Sequence, residues 1–293
     1  MIKKELPDPG KRTTQNLTEN VVISAVTEGK YFHPSHTTPF LFIANSTHAG
    51  NYAVNKTDIT LTGRQFCFLN EGDDLEIIFK EPLSRHTLMI LFNYNFISGM
   101  IYNKLTPEKQ LLETPEQSTE NFQIPSIPFF MNEPFRQQLN KIKNYSSPSS
   151  DDLDNVLANV ISEFLQINDD TAKQLNKINA AKRSTREELY RRLAVALCYM
   201  HDNITASVTI EQIATAACMN RFHLLRTFKK VYGITPHRFL LQLKLQKAHG
   251  WLKNEKRPVT EVCYDLGFES IGSFSNLFKD HFGFPPSQLL RNY

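Results

Sequence analysis

The hydrophobic and polar positions between Thr209 and Pro286 follow one pattern that occurs twice. Eight positions of the first copy recur in the second, at an offset of 49 residues for the first four pairs (210 to 259) and 50 for the last four (224 to 274). The first copy consists of Ile210, Ile213, Ala214, Met219, Leu224, Phe228, Gly233 and Pro236, and the second of Val259, Val262, Cys263, Phe268, Phe274, Phe278, Gly283 and Pro286. Self-similarity at a fixed period indicates a repeated supersecondary unit. Each copy predicts a short helix, a tight turn and a longer helix.

The ends of these helices carry local signals. Thr209, followed three residues later by Gln212, is a capping box in which the Thr hydroxyl accepts from the N3 amide and the Gln side chain reaches back. Asn220 is a favourable N-cap for the longer helix of the first copy, and Gly233 is a favourable stop for it. The first copy therefore predicts a short helix after Thr209 and a longer helix between Asn220 and Gly233.

The longer helix of each copy has one apolar face and one free face. In the first copy, these faces consist of Leu224, Phe228 and Val231, and of Phe222, Arg226 and Lys229. In the second copy, they consist of Phe274, Phe278 and Phe282, and of Gly272, Asn276 and Lys279. A helix pair with a short turn and a basic outer face is typical of the helix-turn-helix, whose second helix enters the DNA major groove.

A larger set of residues in this region carries a family resemblance. The set consists of Ile213, Ala214, Leu224, Arg226, Phe228, Lys229, Gly233–Pro236, Ala248, Gly267, Phe268, Phe274, Phe278, Lys279, Phe282, Gly283 and Pro286. In this order, the segment from about Ser184 to Tyr293 resembles the tandem helix-turn-helix domain of AraC/XylS-type transcription regulators. The resemblance implies an all-α domain over residues 184–293 that binds double-stranded promoter DNA. It leaves open whether the protein activates or represses transcription.

Length and composition are those of a globular protein with about two domains. The chain has 293 residues, of which 41% are hydrophobic and 22% charged. It has no run of about eighteen apolar residues, which predicts no membrane span, and its start lacks the apolar core of a signal peptide. Its four cysteines include no close pair, and three of them lie on apolar helical stretches. We therefore expect a cytoplasmic protein.

Charge is distributed unequally along the chain. From Ala181 onward there are 17 Lys and Arg against 9 Asp and Glu, a balance of +8, and the remainder has 16 against 21, a balance of −5. The two balances sum to the net charge of +3. A basic module attached to an acidic one fits a polyanionic partner for the C-terminal part alone.

The sequence pattern of the N-terminal half is typical of a β domain. Residues 1–20 are polar and are expected to form a flexible arm. Over residues 21–128, short apolar runs alternate with turn formers such as Asn55–Asp58, which predicts closely spaced strands in a small β-barrel or jelly roll. This strand rhythm is similar to the cupin-like sensor domain of many such regulators, and the resemblance implies control by a small-molecule effector. The predicted fold class is α+β.

Two sets of residues in the predicted barrel are candidates for ligand chemistry. An aromatic pocket is predicted from Phe40, Phe42, Phe66 and Phe68, unless these rings only pack the core. His33 and His36 are of a type that ligates zinc or iron. The usual cupin metal motif also has a nearby Glu and a later His, and no Glu lies between His36 and Glu71 here. We therefore expect two surface histidines, no bound metal and no cofactor.

Residues 129–183 are predicted to form a helical connector. A first helix, from Phe130 to Lys143, ends at the linker Ser146–Ser150. A second helix, from Asp151 to Ile167, has one apolar stripe that consists of Leu153, Val156, Val160, Phe164 and Leu165. Relatives often use helices at this position for dimer contacts. The stripe therefore either contributes to a homodimer or packs on its own barrel.

The free faces of the two longer helices predict how the module reads DNA. Pro236 to Lys253 predicts a connecting helix of about 27 Å, which with its flanking turns suits the ~34 Å between successive major grooves. Arg226 is predicted to read guanine, because guanidinium matches O6 and N7 bidentately, and Asn276 is predicted to read adenine. Phe222 and Leu225 are candidates for contacts with thymine methyl groups.

The remaining DNA candidates are assigned by their position on the helices. Asn220 and Arg221 lie at the start of the first longer helix, and Ile271 and Gly272 lie at the start of the second. The side chains of Ile271 and Gly272 cannot form a hydrogen bond with a base edge. Phosphate contacts, which position a protein without specifying sequence, are predicted for His223, Lys229, Lys230, Ser273, Ser275 and Lys279. The second helix is therefore expected to anchor and to sense DNA shape, while the first reads bases.

Familiar enzyme motifs are missing from the sequence. It has no P-loop, no Gly-rich dinucleotide turn, no G-x-S-x-G and no HExxH. We therefore predict a ligand-responsive, sequence-specific transcription regulator that is not an enzyme, with promoter DNA, a small-molecule effector and RNA polymerase as its partners. Two alternatives stay open: a cupin-type metalloenzyme with a helical appendage, and a helical protein-interaction module without DNA binding.

Overall fold

The computed structural model of the protein describes residues 2–8, 17–105, 123–143 and 150–291. Much of the predicted arm (residues 1 and 9–16), part of the predicted barrel segment (106–122), most of the predicted linker (144–149) and the last two residues lie outside the described ranges. The chain divides into two compact units, Met1–Lys173 and Gln174–Tyr293. Within the described ranges, no helix is long and apolar enough to cross a membrane.

Two β-sheets make up the strands that are described in the first unit. One sheet contains β1 (Ile2–Lys3), β2 (Val21–Thr27), β4 (Leu41–Asn45), β7 (Gln65–Leu69), β9 (Arg85–Leu91) and β10 (Phe129–Phe130), in the order β1-β2-β9-β4-β7-β10. The other contains β3 (Tyr31–Thr37), β5 (Gly50–Val54), β6 (Thr57–Leu61) and β8 (Asp74–Phe79), in the order β3-β8-β5-β6. Neighbouring strands are antiparallel except β1 and β2, which are parallel.

Burial of the strands follows their sequence patterns. Strands β4 and β7 are continuous runs of buried residues, because both faces of the first sheet are covered. Strand β8 alternates between buried and half-buried residues, because only one face of the second sheet is covered. The core that the two sheets share includes Ile43, Tyr52, Leu75, Ile77 and Met89.

The α+β class is confirmed, and the N-terminal β domain is consistent with a cupin-like one, but its sheets do not close into a barrel. Among the described strands, the edge strands β3 and β6 of one sheet form no ladder with the edge strands β1 and β10 of the other. Alternation along a strand shows which face is buried and says nothing about which edges pair, so closure was not readable from strand rhythm.

Two helices, α2 (Glu133–Lys143) and α3 (Ser150–Lys177), pack on the outer face of the first sheet, and a further helix, α1 (Tyr94–Leu105), follows β9. The ring of Phe164 in α3 stacks on Phe68 with 4.4 Å between centroids and meets Phe66 edge-on at 6.1 Å. The ring of Phe135 in α2 lies 4.7 Å from that of Phe66. The apolar stripe of α3 therefore packs on its own sheet at Phe164.

Helix α3 is longer than the sequence predicts. It extends ten residues past Ile167, because buried Thr171 and Leu175 continue its covered side. The boundary between the two units, after Lys173, falls inside this helix.

The described residues of the second unit form helices joined by turns, with no strand. It contains α4 (Arg183–Asp202), α5 (Ile210–Ala216), α6 (Arg221–Tyr232), α7 (Pro236–Asn254), α8 (Val259–Asp265), α9 (Ile271–Phe282) and α10 (Gln288–Arg291). The predicted helix pairs are α5 with α6 and α8 with α9, and α7 connects them. Leu245, Ala248 and Leu252 of α7 form a buried cluster with Phe274 and Phe278 of α9. The connector helix is therefore part of the core of the second pair.

We expect Phe164→Ala to destabilise the N-terminal unit by about 3–5 kcal/mol, because the lost ring leaves a cavity against Phe66 and Phe68. Denaturant unfolding of the full chain, followed by circular dichroism, measures the change. Gln166→Ala, at an exposed position of the same helix, is the matched control and should change stability by less than about 0.5 kcal/mol. Similar losses for both variants would contradict the packing role of the ring.

Candidate DNA-binding surface

The first helix pair begins at the predicted capping box. The amide of Gln212 donates to Thr209 Oγ1 at 3.3 Å, and the amide of Thr209 donates to Gln212 Oε1 at 2.8 Å. At the start of α6, Asn220 Oδ1 accepts from the amides of Phe222 at 2.8 Å and His223 at 3.4 Å. Both predicted caps are confirmed.

The predicted inner face of α6 is fully buried. Leu224 and Phe228 are 0% exposed and Val231 is 1% exposed. The helix ends at Gly233, whose φ of 78° lies in the left-handed region that glycine adopts without steric cost. Because this face is held in the core, the opposite face of α6 lies in solvent.

The second helix pair repeats the arrangement of the first. Ser270 Oγ accepts from the amide of Ser273 at 3.2 Å and caps α9, and Gly283 ends the helix with a φ of 82°. The turn before α9 contains Gly267 at a φ of 70°, and the turn before α6 contains Cys218 at 49°. Sequence reasoning did not identify the Ser270 cap, although a Ser directly before a helical run is a recognised signal.

The outer face of α6 presents basic and apolar side chains together. Arg226 is exposed and forms no ion pair within the described residues. Phe222 is 70% exposed, which is unusual for an aromatic ring. Leu225 is half-buried, and Lys229 and Lys230 are exposed in the last turn. The face therefore offers guanidinium and ammonium donors beside apolar surface.

Two candidates at the start of α6 already have partners in the protein. Arg221 Nη1 lies 2.7 Å from Glu211 Oε1 in an ion pair whose side chains are both about half exposed. Asn220 uses its side-chain oxygen as the N-cap. Contact with DNA would require Arg221 to exchange a carboxylate for a phosphate, and it would leave Asn220 only its amide N–H groups. His223, beside them, is exposed.

The outer face of α9 is small and polar. Gly272, Ser273, Asn276 and Lys279 are exposed, and Ile271 and Ser275 are half-buried. A β-carbon at Gly272 would meet no atom within 4 Å, so packing does not require glycine there. Open space beside this backbone allows a close approach by a nucleic acid. The inner side of α9, at Phe274 and Phe278, is 0% exposed.

The four rings predicted to line a pocket do not share one environment. Phe42, Phe66 and Phe68 are 0% exposed and pack on other rings of the unit. Phe40 lies directly before β4 and lines a cavity of about 400 Å³. Glu71, Phe92, Asn93 and Tyr94 also line this cavity. Sequence reasoning missed these cavity residues, and the polar and aromatic run after β9 was the only local signal for them.

His33 and His36 lie together on β3, with 4.2 Å between ring centroids. The expectation of two surface positions is wrong for His33, which is 2% exposed because it faces the core just before a bulge in the β3–β8 pairing. Burial lowers the pKa of His36, which is half-buried. Nowhere in the described ranges are three or more His, Cys, Asp or Glu side chains grouped as a metal site requires.

Comparisons with known proteins show which proteins this chain is similar to. Residues 213–292 match a family model described as a helix-turn-helix domain. The HTH-type transcriptional activator RhaS of Escherichia coli O6:H1 is 24% identical over 270 residues, which cover 87% of this chain and 87% of RhaS. An AraC-type regulator structure from Chromobacterium violaceum has 27% identity and a TM-score of 0.34 over 34% of this chain and 90% of that one. Fatty-acid-bound ToxT from Vibrio cholerae has 14% identity and a TM-score of 0.39 over 95% of this chain and 97% of that one.

The second unit therefore carries a helix-turn-helix DNA-binding domain, in which α5–α6 and α8–α9 are the two helix pairs. The protein is a helix-turn-helix transcription regulator, and its sequence is similar to those of RhaS and of an AraC-type regulator. RhaS is named as a transcriptional activator, and the Chromobacterium violaceum protein as a transcriptional regulator.

The cap at Asn220 can be separated from any role in DNA contact. We expect Asn220→Ala to destabilise the second unit by about 1 kcal/mol, because two amides of α6 lose their acceptor. Asn220→Ser keeps an acceptor and should change stability by a few tenths of a kcal/mol. Thermal unfolding gives the stability, and DNA titration gives the affinity. If Ser restores stability while affinity stays as low as in the Ala variant, Asn220 contacts DNA through its amide group.

Proposed function

We propose that this protein binds a bipartite promoter site by placing α6 and α9 in successive major grooves. The observation that carries the proposal is the duplicated helix pair, in which two inner faces are buried and two outer faces are exposed. Helix α7 has 19 residues and a length of about 28 Å, which supports a spacing close to one turn of DNA. Two helix pairs in one chain bind both half-sites without needing a second subunit.

The roles within the surface follow from chemistry and exposure. Arg226 reads guanine, and Phe222 and Leu225 contact thymine methyl groups. Asn276 reads adenine from α9. Contacts with phosphates and sugars come from Arg221, His223, Lys229, Lys230, Ser273, Ser275 and Lys279, while Ile271 and Gly272 form the close backbone approach of α9. The exposure of Arg226 and its lack of a described ion pair support its role as the main reader.

The N-terminal part is proposed to act as the sensor. Its cavity of about 400 Å³ falls in the size range of small-molecule sites. Residues 21–128 form the sensor domain, residues 129–183 the connector and residues 184–293 the DNA-binding domain. The predicted arm over residues 1–20 precedes them, although its Ile2–Lys3 segment pairs with β2. A homodimer would use exposed surface of the connector, because the apolar stripe of α3 is buried at Phe164. Catalysis is not part of the proposed role.

Regulation is proposed to occur in the cytoplasm through RNA polymerase. The RhaS relatives are named as transcriptional activators, which favours activation over repression for this chain. An effector in the sensor would change the affinity of the protein for its promoter or its contact with the polymerase.

The experiment that tests DNA binding is selection of fragments from a random duplex pool by the full chain, followed by titration across a salt series. We expect an enriched bipartite sequence and an affinity that falls linearly with the logarithm of salt concentration. A folded chain that enriches no sequence and shows no salt-dependent binding would sink the proposal.

Reader and anchor residues should give different binding profiles. Arg226→Ala should cost about 1–3 kcal/mol on the selected site and relax one base preference, because a bidentate contact is lost. Lys279→Ala should weaken binding to all sequences alike and lower the salt slope by about one unit. Affinity measured on specific and random duplexes separates the two. The same profile for both variants would show that the division between reader and anchor is wrong.

The two half-sites should also differ in their tolerance of mismatches. Under α6, each mismatch should cost about 1–3 kcal/mol, because side chains read the bases directly. Under α9, most should cost less, except at the adenine read by Asn276, because the small side chains of that face sense shape. A complete single-base scan of the selected site measures both halves. Equal penalties, or larger ones under α9, would contradict the assignment.

A further inference from the structure

The loop that leads into α5 meets the second helix pair at a junction beside Lys244, near the middle of α7. The Nζ atom of Lys244 lies 3.5 Å from the carbonyl oxygen of Ala206, in the turn between α4 and α5. It also lies beside Gly267, in the turn between α8 and α9. A β-carbon at Gly267 would be 3.5 Å from Lys244 Nζ and 3.9 Å from the carbonyl oxygen of Thr205. The connector helix is therefore not the sole link between the second pair and the segment that leads into the first pair.

The surroundings of Lys244 suit an ammonium group. Thr205 and Ala206 follow the C-terminal end of α4, where free helix carbonyls concentrate partial negative charge. The side chain is half-buried, and burial lowers the pKa of Lys244. Within the described ranges no acidic side chain pairs with Lys244, so the nearby carbonyl of Ala206 is its polar partner. Removing the ammonium would leave that oxygen without a donor from α7.

The internal repeat provides a comparison for Gly267. The corresponding residue of the first pair is Cys218, 49 positions earlier. Both residues have left-handed backbones, with φ of 70° and 49°, so the turn itself accepts a residue that has a side chain. Cys218 and Gly267 are both exposed, but Gly267 has Lys244 and Thr205 beside it. A β-carbon at position 267 would already be in van der Waals contact with Lys244 Nζ, so the rest of a longer side chain would lie at the junction.

We propose that Lys244 and Gly267 are positioning residues that fix the separation and orientation of α6 and α9, and so set the half-site spacing that the protein accepts. The inference rests on the proposed function and assigns spacing to residues outside the DNA-contacting faces. One base pair moves a half-site by about 3.4 Å along the axis and by about 34° around it. A rigid pair of recognition helices discriminates against that displacement, and a pair joined by a single helix adapts to it.

The test compares the selected site with two versions that have one base pair added or removed between the halves. The measured quantity is the affinity for the selected site divided by the affinity for a site of altered spacing. In the Lys244→Met variant this ratio should be about three- to tenfold smaller than in the wild type, and the base preferences within each half-site should be unchanged. Lys244→Arg keeps a donor and should retain most of the ratio. Lys253→Met removes the same charge from an exposed position of α7, and it should lower binding at every spacing alike. If the Lys244→Met variant had the same affinity ratio as the wild type, the proposal would be overturned.

A second variant tests the other side of the junction. Gly267→Cys introduces the residue that occupies the same position of the first turn. Its effect on the spacing ratio should therefore come from the contact with Lys244 more than from backbone strain. It should reduce the spacing ratio as Lys244→Met does, while the matched control Cys218→Gly should not. Thermal unfolding shows whether each variant is folded. Unchanged spacing selectivity in a folded Gly267→Cys variant would also overturn the proposal.

A third measurement does not depend on DNA binding. Nitroxide labels at Lys229→Cys and Lys279→Cys, in a Cys218→Ser background, report the distance between the two recognition helices by pulsed electron paramagnetic resonance. Lys244→Met should broaden the distance distribution, and Lys253→Met should not. If the width of the distance distribution were unchanged, the proposed role of the junction would be refuted, even if no DNA site were found. Conversely, a broadened width without any DNA binding leaves the junction standing and refutes the proposed function.

Discussion

Burial of one face of each recognition helix is the constraint on which the DNA-binding surface depends. Leu224 and Phe228 hold α6, and Phe274 and Phe278 hold α9, with all four side chains removed from solvent. A helix whose inner face is fixed cannot rotate about its axis, so the side chains on its other face have defined directions. The orientation of Arg226 and Asn276 toward solvent is therefore a consequence of packing several residues away from them.

The same logic extends to the ends of these helices. Asn220 and Ser270 determine where the two helices begin, and Gly233 and Gly283 determine where they end. Because each helix has the same length of 12 residues, the two outer faces present equivalent positions to a ligand. Their contents nevertheless differ: guanidinium and an exposed aromatic ring on α6, and glycine, serine and an amide on α9. A repeated scaffold thus carries two chemically different surfaces.

Packing in the N-terminal unit separates structural rings from cavity rings. Phe164 of α3 stacks on Phe68, which in turn stacks on Phe92 at 5.5 Å between centroids. Phe92 also lines the cavity of about 400 Å³. A continuous stack of rings therefore connects the cavity wall with α3 inside this unit. Interiors are packed as closely as organic crystals, so a ligand that displaces Phe92 must also affect the rings behind it.

Sequence alone determined the features that depend on neighbours within one or two helical turns. The repeat, the capping box at Thr209, the cap at Asn220 and the inner face of α6 could all be predicted, because residues three or four apart necessarily share a helix face. The α+β class was readable for a similar reason, since alternating and continuous apolar runs report how many faces of a strand are covered.

Only the tertiary structure decided the features that join distant parts of the chain. Phe42 packs on Phe135 of α2, more than ninety residues away, whereas Phe40 faces the cavity. The burial of His33 depends on a bulge against β8, and the engagement of Arg221 depends on Glu211 in another helix. The junction of Lys244 with Ala206 joins residues 38 positions apart. Local periodicity contains no information on such contacts, because they are set by how complete elements pack against one another.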